Sequence, residues 1–202
     1  MENLAPVAHP IHELLARRWS ARAIDPAKPV ARETLLSLLE AARWAPSSSN
    51  EQPWRFLVFD ESVAAARDQA RSILTGNNAL WAAKAPVLVL TVAKDTWTRN
   101  GQPNRHAGHD VGAATGSLLL QVAAHGLVGH PMAGYGIDEA KTLFGIPDGF
   151  TSMAMVAIGH PGPVADLPEP LLSRETQPRV RKPIAEIAFA GAWEKPLAPS
   201  SP

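Results

Sequence analysis

Proline is concentrated at the end of this chain. Nine of its 19 prolines lie in the last 42 of the 202 residues. Proline lacks a backbone N–H and clashes inside a helix, so most of residues 161–202 cannot be regular helix or inner strand. The same segment carries Ile184, Ile187 and Trp193, which a solvated tail would not display. We therefore predict a single domain over residues 1–202, in which residues 161–202 form an extended arm over a partner surface.

The composition narrows the chemistry that the chain can perform. It has 19 basic and 19 acidic residues, and this balance argues against a nucleic-acid binder, which needs a cationic face to neutralise phosphates. It has no cysteine, which excludes disulfides, iron–sulfur clusters and thiolate zinc sites. Any redox chemistry must therefore come from a bound cofactor.

The sequence carries no pattern that is typical of export or of membrane insertion. The N-terminal M-E-N-L-A-P-V-A-H-P has an acid where a secretory signal needs positive charge. The longest apolar run, about residues 85–93, is well short of the roughly 20 residues that a membrane span requires. We expect a soluble, cytoplasmic protein that does not act at a membrane.

Hydrophobic spacing predicts an alternation of helices and strands before the arm. The predicted helices cover residues 11–18, 32–44, 110–125 and 138–144, with a further alanine-rich helix that Asp60 or Ser62 caps and that ends near Leu74. The predicted strands cover residues 54–59, 86–92 and 152–159, and the second is apolar enough to be a buried central strand. We expect a loop around Pro131 and Gly134, and Gly145 directly after the last helix.

The common catalytic motifs are absent. No G-x-G-x-x-G follows a strand, and the chain has neither a nucleotide phosphate loop nor a G-x-S-x-G elbow. In H-A-G-H-D, however, His106, His109 and Asp110 share one helix face, which makes a metal site geometrically possible. The alternative is that Asp110 caps the helix and the histidines form ordinary hydrogen bonds. Because no third strong ligand is evident, we predict no metal site.

Two polar segments have a composition that suits ligand binding. In R-R-W-S-A-R, Arg18 and Arg22 are four residues apart and could converge on one anion, to which Ser20 adds a hydroxyl; the alternative is surface arginines at a helix end. In A-P-S-S-S-N-E-Q-P-W, Asn50 and Gln52 offer donors and acceptors that can read a heterocycle edge; the alternative is a plain helix-to-strand loop.

Together these segments resemble the N-terminal signature of the nitroreductase family of flavin mononucleotide (FMN) enzymes. The similarity continues in order through D-V-G-A-A at Asp110, G-L-x-x-x-x-M-x-G at residues 126–134, G-I-P-D-G at residues 145–149 and R-K-P-I-A-E-I near the end. The resemblance implies an α+β fold with a mixed central sheet flanked by helices, and a C-terminal arm that wraps the partner subunit. It also implies a homodimer with two FMN at the interface, each bound by residues of both chains.

The resemblance also implies which residues bind FMN. Arg18 and Ser20 correspond to residues at the flavin phosphate and ribityl chain, and Arg22 to one near the N1/O2 edge or the phosphate side. A guanidinium there would stabilise the negative charge that reduced flavin gains at N1/O2. Arg179 and Arg181 correspond to the basic residues that complete the phosphate site.

Two further groups of residues belong to the implied cofactor site. Pro46, Ser47 and Ser48 resemble residues that reach the flavin of the other subunit, and Asn50 and Gln52 match positions that line the same pocket. The backbone of Met132, Ala133 and Gly134 falls where the family contacts the central flavin ring, with an N–H that would bond N5. Trp19 and Ala133 depart from the family pattern beside the predicted flavin, which suggests a different substrate preference.

The implied reaction is ping-pong: NAD(P)H gives hydride to flavin N5 and leaves, and an electron-poor small molecule such as a nitroaromatic, quinone or activated alkene then binds. The cofactor carries the chemistry, so no side chain is expected as acid, base or nucleophile. Two alternative functions also involve flavin. One is a non-catalytic dimer that binds or stores flavin, and the other is specialised flavin chemistry such as dehalogenation or flavin fragmentation. A third alternative is a metal-binding protein that uses the H-A-G-H-D residues.

Overall fold

An antiparallel sheet organises the protein, whose computed structural model describes residues 3–169 and 171–197. Its strands are β1 (Ile24–Asp25), β2 (Trp54–Phe59), β3 (Val87–Lys94), β4 (Val128–Met132) and β5 (Phe150–Pro161). The strand β5 lies between β3 and β4, β2 pairs with β3, and the two residues of β1 pair with the end of β5. All four pairings are antiparallel, so the mixed sheet implied by the resemblance is corrected to an antiparallel one within the described chain.

The strand β3 is buried on both faces, as its continuous apolar sequence predicted. Leu88, Leu90 and Val92 point into a core on one side of the sheet, while Val87 and Val89 point into a second core on the other side. All five side chains are at most 2% exposed. The alternation follows from the two-residue period of a strand.

Helices cover both faces of the sheet, which confirms the α+β class. They are α1 (Glu13–Arg17), α2 (Arg32–Arg43), α3 (Ala64–Ser72), α4 (Asn78–Trp81), α5 (Ala107–Ala124), α6 (Ile137–Leu143) and α7 (Leu171–Thr176). The buried stripes of α2 and α5 pack in one core, and α3, α4, α6 and α7 contribute to the other. Within the described ranges, no helix combines the length and apolar character that crossing a membrane demands.

Most predicted elements are confirmed with shifted ends. The helix α5 begins at Ala107, three residues before the predicted start, with His106 as its N-cap residue. The helix α1 is shorter than predicted because His12 Nδ1 accepts the N–H of Leu14 and so caps the helix there. Asp60 caps a 3-10 turn before α3, and Gly145 has φ +61° just after α6.

The strand β4 was predicted as a loop because it contains Pro131. In the structure Pro131 pairs with Val156 of β5. Among the described strands β4 has only this one neighbour, and an edge strand tolerates proline because one row of its N–H groups is not needed in the sheet. The prediction failed because a proline in the sequence does not reveal whether a strand is central or at an edge.

The proline-rich segment has two parts. Residues 164–166 form a 3-10 turn and Leu171–Thr176 form α7, with Leu171 and Glu175 fully buried in the body of the protein. Residues 177–197 then follow with a short 3-10 turn at Ile184–Glu186 and no longer helix among those described. Among the described residues the last α-helix therefore ends at Thr176, and the role of residues 161–202 as an arm over a partner stays a prediction.

Candidate functional site

Three arginines from the two ends of the chain meet after α1. Arg18 ends α1 with an extended backbone and is half-buried. Burial lowers the pKa of its guanidinium, and the positive charges of Arg179 and Arg181 lower it further. Among the described residues, no carboxylate forms an ion pair with any of the three. A cluster of guanidiniums without a carboxylate partner has the charge and the hydrogen-bond donors that suit an anion.

The three arginines line a cleft of about 640 Å³. Its lining combines four cationic residues with His9 and a larger number of apolar residues, and the cations are Arg18, Arg179, Arg181 and Lys182. The apolar wall comprises Ala5, Pro6, Val7, Ala8, Ile11, Leu15, Val180, Pro183 and Ile184. A cavity of this size with cationic and apolar lining residues suits a small amphipathic anion.

Arg179 differs from its two neighbours in its hydrogen bonds. Its Nη1 donates to Asn3 O at 2.8 Å and to Ala16 O at 2.7 Å, and its Nη2 donates to Arg18 O at 3.0 Å. We refer to residues 3–9, which begin at the first of these carbonyls, as the N-terminal strap. Arg179 therefore joins the strap, the end of α1 and the residue that follows α1.

Arg22 lies apart from this cluster and has a carboxylate partner. Its Nη1 is 3.4 Å from Oε2 of Glu175, a side chain with no exposed surface. The other oxygen of Glu175 accepts the N–H of Arg22 at 2.7 Å and that of Ala23 at 3.1 Å. Glu175 was not predicted as a functional residue, because nothing in the sequence around it indicates that it faces R-R-W-S-A-R.

The remaining residues of this segment lie between the cleft and the core. Trp19 packs partly buried against one core, and Ser20 is half-buried. The next carbonyl, of Ala21, accepts a hydrogen bond from His130 Nδ1 at 3.0 Å. Burial lowers the pKa of His130 to about 4, and Arg22 and Arg18 contribute in the same direction. His130 is therefore neutral near pH 7, with its proton on Nδ1, since a carbonyl can only accept.

The loop between α2 and β2 has a strained backbone. Ser49, Asn50 and Gln52 have φ of 53°, 54° and 52°, a left-handed conformation that costs energy for residues other than glycine. Ser47 Oγ accepts the N–H of Gln52 at 3.1 Å, and Gln52 Nε2 donates to Asn50 Oδ1 at 3.1 Å. Asn50 and Gln52 are exposed, as is Pro46. Strain that is held in place by such contacts is typical of functional loops.

Two acidic residues outside the predicted site fix this loop. Asp110, buried in the first turn of α5, accepts the N–H of Ser48 at 3.0 Å and lies 3.1 Å from Nδ1 of His109. Glu51 accepts the N–H of Thr98 at 2.8 Å and also bonds its hydroxyl. In the described part of the chain no three His, Cys, Asp or Glu side chains are grouped to hold a metal, and the carboxylate of Asp110 serves the loop.

The end of β4 forms the third group of predicted site residues. Met132 is buried, whereas Ala133 is exposed. Gly134 O accepts the N–H of Thr75 and Nδ2 of Asn78, both at 3.1 Å. A Cβ at Gly134 would lie 2.5 Å from Nδ2 of Asn78, so a larger residue here would have to displace the Asn78 side chain. Asn78 lies in a segment for which the sequence predicted no role.

Within one chain these groups do not share the cleft. Neither the loop nor residues 132–134 line it. The described arm also exposes large apolar side chains: Val180 is 77%, Ile187 65% and Trp193 82% exposed. Exposed large apolar side chains are common on surfaces that bind another chain.

Comparison with known proteins identifies relatives of this fold and sequence. Residues 15–160 match the model of the nitroreductase family. An uncharacterized 15.4 kDa protein of Mycolicibacterium smegmatis is 37% identical over 122 residues, which are 60% of this chain and 80% of that protein. An oxygen-insensitive NAD(P)H nitroreductase of Salmonella typhimurium is 27% identical over 71% of this chain and 85% of its own length.

A solved structure of high similarity extends this comparison to almost the whole chain. The crystal structure of an oxidoreductase containing FMN superposes with a TM-score of 0.88 at 36% identity and covers 96% of this chain and 98% of that one. The family match covers far more than half of the sequence, and the fold agrees with it. The chain therefore belongs to the nitroreductase family.

Proposed function

We propose that this protein is an FMN-dependent oxidoreductase that uses NAD(P)H as electron donor. The observation that carries the proposal is the cleft in which Arg18 and Arg181 meet without a carboxylate. FMN has a phosphate dianion at one end and a largely apolar ring system at the other. A cleft that is lined by both cationic and apolar residues offers partners for both parts.

Different residues around the cleft would bind different parts of FMN. Arg18 and Arg181 would hold the phosphate, with Ser20 next to it on the same extended segment. Arg22, whose Nη1 lies 3.4 Å from Glu175, would lie toward the edge of the ring where negative charge develops on reduction. The backbone of Met132–Gly134 would present an N–H to the ring.

When bound, FMN would accept hydride from NAD(P)H and deliver it, in a second half-reaction, to an electron-poor acceptor such as a nitroaromatic, quinone or activated alkene. The protein would supply orientation, exclusion of water and electrostatic stabilisation. We assign no general acid, base or nucleophile to a side chain. This division of labour agrees with the neutral, largely buried state of His130.

The complete site would be formed by two chains. We propose a homodimer in which the strained loop, with Pro46, Ser47, Ser48, Asn50 and Gln52, reaches the cofactor of the partner subunit. The exposed apolar residues of the arm support this arrangement, because a second chain would cover them. Residues 1–202 would act as one domain with residues 161–202 as its arm. We place the reaction in the cytoplasm, where NAD(P)H is available.

Purified protein tests the proposal directly. We expect a flavin absorption spectrum that NADH or NADPH bleaches under anaerobic conditions and that a nitroaromatic or quinone restores. Colour without bleaching would indicate a protein that only binds flavin. Colourless protein enriched in metal would indicate a metal-binding protein. An acceptor screen after anaerobic reduction then identifies the substrate class and separates general reduction from specialised flavin chemistry.

A double variant tests the phosphate assignment. Arg18→Ala with Arg181→Ala should weaken FMN binding by about a hundredfold or more, since each charge-assisted bond contributes roughly 1.5–3 kcal/mol. The matched control is Lys28→Ala with Arg32→Ala, which removes the same charge from exposed residues outside the cleft. Full flavin occupancy in the first variant would refute the assignment.

A further inference from the structure

We infer that Arg179 is a positioning residue and that the anion is held by Arg18 and Arg181. The inference rests on the proposed function and refines it, because the resemblance to the family implies that Arg179 contacts the phosphate. The structure points to a different role. Arg179 fastens the N-terminal strap and the end of α1, and so places the guanidinium of Arg18 at the cleft.

Most hydrogen-bond donors of the Arg179 guanidinium already have acceptors within this chain. The two N–H groups of its Nη1 donate hydrogen bonds to Asn3 O at 2.8 Å and to Ala16 O at 2.7 Å. Its Nη2 uses one N–H on Arg18 O at 3.0 Å. A guanidinium has five N–H donors, so three of the five are bonded to carbonyls of this chain. An anion could take Arg179 as ligand only by disrupting this arrangement.

Arg181 makes fewer hydrogen bonds within the described chain than Arg179. Its one hydrogen bond in the described chain is from Nη1 to the carbonyl of the neighbouring Val180, and the residue is exposed at the mouth of the cleft. It can therefore turn toward a ligand without breaking a long-range contact. Arg18 has no carboxylate partner either, and its pKa is lowered by burial and by both other arginines. An anion between Arg18 and Arg181 would relieve this repulsion.

The carbonyls that Arg179 bonds explain why it controls Arg18. They belong to the start of the strap, to the last turn of α1 and to Arg18 itself. The strap is fixed at one more point, where Ala5 N–H donates to Ala16 O at 3.0 Å. Without Arg179, the carbonyls of Asn3 and Arg18 lose this donor, Ala16 O keeps only the N–H of Ala5, and among the described residues the strap keeps only that one hydrogen bond. The wall of the cleft and the backbone that carries Arg18 would then loosen together.

Hydrogen exchange of the apoprotein separates positioning from anion binding. In Arg179→Gln, exchange in peptides that contain Ala5 should be at least about tenfold faster, as expected when a charge-assisted bond of roughly 1.5–3 kcal/mol is lost. Arg179→Lys should not restore protection, because one ammonium cannot reach three carbonyls in different directions. The matched variant Arg181→Gln should exchange like the unmodified protein.

Flavin affinity supplies a readout that a purely structural role would not change. Arg181→Gln should weaken FMN by about a hundredfold and Arg179→Gln by about tenfold. Riboflavin, which has no phosphate, should bind as before in Arg181→Gln and should lose less affinity than FMN in Arg179→Gln. Unchanged exchange at the strap in Arg179→Gln would overturn the inference and make Arg179 an ordinary phosphate ligand. Equal weakening of FMN and riboflavin would also overturn it. If the unmodified protein binds neither flavin, the proposed function fails, while the exchange comparison still decides the role of Arg179.

Discussion

Asp110 Oδ2 accepts the backbone N–H of Ser48 at 3.0 Å, across 62 positions of sequence. The first turn of α5 is thereby joined to the strained loop between α2 and β2. Two motifs that looked separate in the sequence, H-A-G-H-D and A-P-S-S-S-N-E-Q-P-W, form one structural unit. The positive φ of Ser49, Asn50 and Gln52 is maintained by contacts of this kind.

Removal of the Asp110 carboxylate should release the loop. We expect Asp110→Ala to lower the free energy of unfolding by about 1–3 kcal/mol, because the partly buried N–H of Ser48 loses its acceptor. Urea unfolding measures this loss. The control is His109→Ala, whose side chain is 82% exposed and should cost less than about 0.5 kcal/mol. Equal effects of the two substitutions would contradict the role assigned to Asp110.

The exposed glycines of α5 should matter for assembly and not for the fold of one chain. A Cβ at Gly112 or Gly116 would meet no atom within 4 Å, so Gly116→Leu fits the single chain and should gain helix propensity. If another chain approaches this helix, the variant will shift the protein from dimer to monomer in analytical ultracentrifugation. Unchanged dimerisation would remove α5 from the interface.

Gly129 is the matched control for the glycine substitution. A Cβ there would lie 2.9 Å from Leu119 Cδ2 and 3.1 Å from Val122 Cγ1, both within the same chain. Gly129→Ala should therefore lower the thermal unfolding temperature through overpacking, with no change in the association state of the protein that remains folded.

His130 should make the protein less stable in acid. Its pKa is about 4 in the folded state against 6.5 for the ordinary group, so the unfolded chain binds more protons between these values. The contribution of neutral His130 to the free energy of unfolding is fully present above about pH 6.5 and decreases as the pH falls. By pH 4 about 3 kcal/mol of it has been lost. In His130→Gln the difference between the unfolding free energies at pH 4.5 and 7.5 should shrink. An unchanged difference would show that other groups cause the acid sensitivity.

Glu175 should be among the most sensitive polar residues of the described chain. Glu175→Ala leaves two backbone N–H groups and the Arg22 guanidinium without their acceptor, and we expect a loss of about 3 kcal/mol in urea unfolding. Glu175→Gln keeps an oxygen for the N–H groups and should cost less. A loss below about 1 kcal/mol for Glu175→Ala would mean that the segment is held by other contacts.

The spacing of apolar and polar residues along the sequence was sufficient to predict most helices and strands and the two motif segments. The buried strand β3 and the helix α2 follow from the spacing of their own residues. The contacts of Glu175 with Arg22 and of His130 with Ala21 could not be predicted, because each joins residues more than 100 positions apart. The same applies to Arg179, whose sequence indicates a cation but not that three carbonyls surround it.

Residues 179–184 line the cleft, and the chain continues from them into the exposed part of the arm. If subunits pair through the arm as proposed, occupation of the cleft and pairing draw on the same stretch of backbone, and the two equilibria would be coupled. By thermodynamic linkage, a cofactor that favours the paired form must lower the concentration at which pairs dissociate, and dilution must weaken its own binding by the same factor. Flavin content would then report the oligomeric state of the enzyme.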